Sequence, residues 1–69
     1  MRYRVEIAAG WNAAQVIDNV ATLHGSWDSA VSGVGGQSGV AFVRANDGED
    51  DDLTDAMDAH DGVVEYLEL

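Results

Sequence analysis

Lysine and cysteine are both absent from this chain of 69 residues, and three arginines stand against thirteen acids. Without cysteine, no disulfide or thiolate metal site can staple so small a fold, and the redox state of its compartment leaves no mark. No apolar run approaches the roughly 18 residues of a membrane-spanning helix, so no membrane partner is expected. The opening "MRYRVEIAAG" alternates charged and apolar residues, unlike the continuous apolar segment of a secretory signal. Taken as a complete chain, this sequence is expected in the cytoplasm. Three guanidinium groups cannot neutralise the several phosphates of a bound nucleic acid, which removes nucleic-acid partners.

What the chain does have is acid. A formal net charge of −10 makes the surface repel itself in dilute salt. Molar counterions screen that repulsion. Loss of lysine beside abundant aspartate is the composition expected of a haloarchaeal cytoplasm filled with salt. The competing reading is an acidic protein that mimics nucleic acid or binds a basic partner. Hydrophobic residues make up 46% of the chain, largely alanine and valine, which is enough for one domain over residues 1–69 near the lower size limit for a self-sufficient core.

Residue periodicity places the elements. In "RYRVEIA", Tyr3, Val5 and Ile7 fall on one face and Arg2, Arg4 and Glu6 on the other, the period of a half-buried strand. Asn12 with Gln15 forms a capping-box pattern. Behind it Ala13, Val16, Ile17, Val20 and Leu23 share a helical stripe, and Gly25 stands where a C-terminal cap belongs. The glycine-rich middle reads as a hairpin: Trp27 to Val34, a turn at Gly35 to Ser38, then Val40 to Ala45. A turn at Asp47-Gly48 leads into a helix from about Asp50, with Leu53, Ala56, Met57 and His60 on one face and Gly62 closing it. "VVEYLEL" is the last strand. The order predicts an α+β, ferredoxin-like βαββαβ fold: a four-stranded antiparallel sheet with two helices on one face. Val5, Ile7, Val16, Val20, Leu23, Phe42, Met57 and Tyr66 are the expected core.

No constellation for catalysis emerges. The run Glu49-Asp50-Asp51-Asp52 lacks the alternating ligands and closing glutamate of a calcium loop, and it suits a solvated helix start. His24 directly before Gly25, and His60 two residues before Gly62, each stand at a helix end, where capping explains them. The serines lie in no nucleophile motif. No enzyme activity, cofactor or metal is therefore expected. Trp11, in a loop, reads as an interface anchor or as packing over the first helix start, and Trp27 as the edge of the core.

With the elements placed, the chain resembles the subtilisin propeptide, or inhibitor I9, family. Family members open on a "RYIV"-type strand, here "RYRVEI", and end their first helix on a glycine-bearing turn, here "ATLHG". Gly39 opens "GVAFVRA" where the family has a Gly-Phe-Ala-Ala-type strand, and "HDGVVEYLEL" resembles its closing Pro-Gly-Val-x-Tyr-Val-Glu run. Asp61 stands where the family has proline, and the link to the second helix is longer. The resemblance implies a protease inhibitor or intramolecular chaperone, secreted if it is an excised propeptide. In that family the helix-free sheet face packs on a subtilisin-like protease and the C-terminal segment enters the cleft as an extended strand. The corresponding segment here is Tyr66, Leu67, Glu68 and Leu69. By alternation the docking face would carry Arg2, Arg4, Glu6, Ala41, Val43 and Ala45. The alternative is self-association: a ferredoxin-like dimerisation or small-ligand sensor module of the ACT or Lrp type, using the same face.

Overall fold

The computed structural model describes residues 1–21, 24–33 and 37–69. Its elements run β1 (Arg2–Ile7), α1 (Ala13–Ala21), β2 (Gly25–Val31), β3 (Gly39–Ala45), α2 (Asp50–Ala59) and β4 (Val63–Glu68). The strands form one antiparallel sheet in the order β2-β3-β1-β4. Both helices cover one face of it, which is the ferredoxin-like βαββαβ arrangement expected from the sequence.

Apolar spacing sets both helices. Asn12 caps α1 by accepting the Gln15 N–H on Oδ1 at 3.0 Å, and Ala13, Val16, Ile17 and Val20 are buried beneath it. Leu23 lies outside the described residues. Gly48, at φ +77°, makes the turn before α2. Asp50, Asp51 and Asp52 then occupy the first turn of α2, where the exposed N–H groups favour negative charge. Leu53 and Met57 are fully buried, and Ala56 packs against them.

Strand β2 begins earlier and ends earlier than the Trp27 to Val34 expected. Gly25 is its first residue rather than a helix cap. A Cβ there would stand 2.5 Å from the Arg44 carbonyl oxygen, so the glycine lets β2 close against β3. Residues 34–36, and with them the start of the expected turn, lie outside the described residues. Bulges interrupt the pairing of β1 with β4 and of β2 with β3. These two pairings hold the edge strands, and a bulge twists an edge away from open-ended pairing.

One expectation is reversed. Ala41 and Val43 are fully buried and Ala45 nearly so, facing the helices alongside Tyr3, Val5 and Ile7. Phe42, expected in the core, lies half-buried on the open face with Val40 and Arg44. The physical reason is the charge at position 44. A guanidinium cannot be buried without a partner, so Arg44 points to water and period-two alternation carries Phe42 and Val40 with it. Small Ala41 and Ala45 then leave room for the helices above β3. Tyr66 is half-buried at the core margin, less enclosed than expected.

Candidate docking face

Four strands with an outward phase build the helix-free face. Their registers arrange it in rows running across the sheet. One end row contains Arg44 beside Arg2, the middle row Phe42, Arg4 and Leu67, and the far end row Val31, Val40, Glu6 and Glu65. Leu69 extends the first row, its N–H donating to the Arg2 carbonyl at 2.8 Å. Val31, Leu67 and Leu69 are more than half exposed. All three arginines of the chain lie on this face.

Its charges balance. Glu6, Asp28 and Glu65 match the three arginines in number, so the other ten acids and the whole formal −10 lie elsewhere. Arg2 Nε reaches Asp28 Oδ2 at 3.2 Å, and Ser38 Oγ donates to Glu6 Oε1 at 3.4 Å. Arg4 and Arg44 form no ion pair among the described residues.

The structure gathers some of the residues named from sequence and separates others. Arg2, Arg4, Glu6, Leu67 and Leu69 share the open face. Ala41 and Val43 are removed from any docking surface by their burial under α1 and α2. Tyr66 and Glu68 take the opposite phase, opposite Val5 and Tyr3. The Tyr66 hydroxyl donates to Asp58 at 2.9 Å, and this bond together with desolvation raises its pKa. Residues 66–68 are thus part of a strand paired with β1, and Leu69 is tied to β1 by its hydrogen bond to Arg2. Phe42, Val40, Arg44, Val31 and Glu65 were missed, and for the three on β3 the solvent-seeking Arg44 was the signal that could have found them.

Polar contacts on the helix side serve the fold. Tyr3, buried in the core, donates its hydroxyl to Asp50 Oδ2 at 2.9 Å. Burial, and then this bond to a carboxylate, push the phenol up to about 12. The same bond, joined by the Met1 amino group at 3.3 Å, holds the Asp50 carboxyl below its ordinary value. His60 caps α2, its Nδ1 accepting the Gly62 N–H at 2.9 Å, and its ring meets Trp11 edge-on at 5.2 Å. Trp11 therefore packs over Gly62, and remains 43% exposed.

His24, Glu49 and Asp52 bring their ligand-type atoms within 4.8 Å of one another. His24 Nδ1 stands 3.6 Å from Glu49 Oε1, while Asn46 Nδ2 donates to Glu49 Oε2 at 2.8 Å. A shallow cleft of about 310 Å³ lies between the end of α2 and β4, lined by Met57, Asp58, Val63, Val64, Glu65 and Tyr66. Its Asp58 is already committed to the Tyr66 hydroxyl. Trp27, 56% exposed, stands on the helix side beside Ile17 and Ala21.

No protein-family model, curated protein or solved structure matches this chain.

Proposed function

We propose that this chain is a protein-docking domain whose working surface is the helix-free face of its sheet. One observation carries the proposal: every arginine of a −10 chain converges on that face, among exposed apolar side chains. Docking surfaces combine apolar area, which gains from losing water, with charges that orient the partner. Elsewhere on this molecule a partner would meet uncompensated carboxylates. The face is also covered by no helix.

The protease-inhibitor form of this reading uses the same face against a subtilisin-like enzyme. It further requires residues 66–69 to enter a cleft, and so to give up the Leu69–Arg2 and Tyr66–Asp58 hydrogen bonds. Docking through the face alone requires no such loss, and it takes precedence here.

A photo-reactive residue placed at Leu67, on the face, or at Asp55, exposed on α2, tests the proposal in an extract of the cells that make the protein. Covalent adducts are expected from position 67 and not from position 55. No adduct from position 67, or equal yields from both positions, would overturn it.

A further inference from the structure

If the open face is the docking surface, as proposed above, its residue pattern also specifies the partner. Positive charge lies at one end of the face in Arg2 and Arg44, and negative charge at the other in Glu6 and Glu65, with Phe42, Arg4 and Leu67 between them. We infer that the face is self-complementary and that its partner is a second copy of this chain. The two sheets stack about a two-fold axis that crosses the strands along the middle row.

That axis reverses the strands. Arg2 of each copy then meets Glu6 of the other, with Arg44 diagonal to the same glutamate. Phe42 and Leu67 meet their own counterparts on the axis, on either side of Arg4, and supply its apolar contact. Arg4 also meets its counterpart there, between the two glutamate rows that offset its charge. No other surface serves two copies so well, because ten acids and no arginine lie off this face and set any other pairing against like charge. A standard interface takes about 800 Å² per partner, close to a fifth of the 4101 Å² surface.

Sedimentation equilibrium at about 1 M KCl tests this, since general repulsion is then screened while pairs enclosed in an interface are much less so. The chain is expected to sediment as a dimer. Arg2→Glu and Glu6→Arg should each weaken self-association at least tenfold, because each sets two like-charged pairs across the axis. An equimolar mixture of these two variants should regain the wild-type association, since positions 2 and 6 are again of opposite charge in the mixed dimer. A merely structural effect of either substitution gives no recovery on mixing. Leu67→Ser, at an exposed position, should also weaken the dimer about tenfold with circular dichroism unchanged. A monomer at all concentrations up to about 1 mM, or no recovery on mixing, would overturn the second copy as partner. The cross-linking experiment separates the two readings. An adduct from position 67 with twice the chain mass supports both, and an adduct with a different protein keeps the docking face but overturns self-association. No adduct overturns both.

Discussion

Val40 and Val43 lie three residues apart on β3, yet threonine at the two positions should have opposite consequences. Val43 is fully buried between the sheet and the helices, and Val40 is half-exposed on the open face. Valine and threonine have nearly the same shape, so the substitution chiefly exchanges a methyl group for a hydroxyl. At position 43 the neighbours are Tyr3 across the sheet and other apolar side chains of the core, and the strand carbonyls are held in the ladder. An unpaired hydroxyl buried there costs about 1–3 kcal/mol. In a domain this small, 1 kcal/mol shifts the melting temperature by roughly 4–8 °C. Val43→Thr should therefore lower it by about 8–16 °C for a mid-range cost of about 2 kcal/mol. Val40→Thr keeps a β-branched side chain at a wetted position and should stay within about 0.5 kcal/mol. Thermal unfolding followed by circular dichroism in molar KCl reads both. Equal shifts, or a larger loss at position 40, would refute the assigned phase of β3 and with it the composition of the open face.

Three more outcomes are expected. Gly62→Ala would bring its new Cβ to 2.9 Å from both the Trp11 ring and the Val16 side chain; overpacking of this kind costs about 1–3 kcal/mol, and Trp11→Ala in the same chain should recover part of the loss in a chemical denaturation series. Tyr3→Phe should cost about 1.5–3 kcal/mol near neutral pH, as expected for a hydrogen bond to a charged group. Because the Asp50 carboxyl is lowered from 3.8 in the folded chain, that contribution is present above pH 3.8 and fades as pH falls below it, so melts of the variant and the wild type should converge in acid. Because Tyr3 is raised from 10.0 to about 12, the wild type should also lose stability as pH rises between those values, and a flat profile there would contradict the buried phenol. Finally, thirteen carboxylates should make folding depend on salt: far-UV circular dichroism should grow from about 0.1 M to molar KCl as the Debye length falls from about 10 to about 3 Å, and an unchanged signal would count against the salt-adapted reading of the composition.

The element order was legible because local signals agreed. Alternation in "RYRVEI", the stripe of Ala13, Val16, Ile17 and Val20, and the Asp47-Gly48 turn each follow from a short run of residues. What escaped the sequence was set by contacts between distant elements. "GVAFVRA" carries apolar side chains in both phases, so hydrophobicity alone does not choose its inner face; Arg44 does, once the cost of burying a guanidinium is given its weight. Gly25 and Gly62 looked like helix stops, but each is glycine for want of space, against the Arg44 carbonyl and the Trp11 ring. Those neighbours lie 19 and 51 residues away along the chain. The open face carried the same ambiguity: Arg2, Arg4 and Glu6 of β1 lie on it as expected, and the misread phase of β3 put Ala41 and Val43 where Phe42 and Arg44 lie.

The central claim is that the open sheet face is where this protein meets its partner. Hydroxyl-radical footprinting tests it most directly, comparing dilute purified protein with the protein as assembled in its native extract. Phe42 and Leu67 report on the open face, and Trp27, 56% exposed on the helix side, serves as the internal reference. The account predicts that assembly suppresses oxidation of Phe42 and Leu67 while Trp27 reacts as before. Protection of Trp27 with Phe42 and Leu67 still reactive would contradict it.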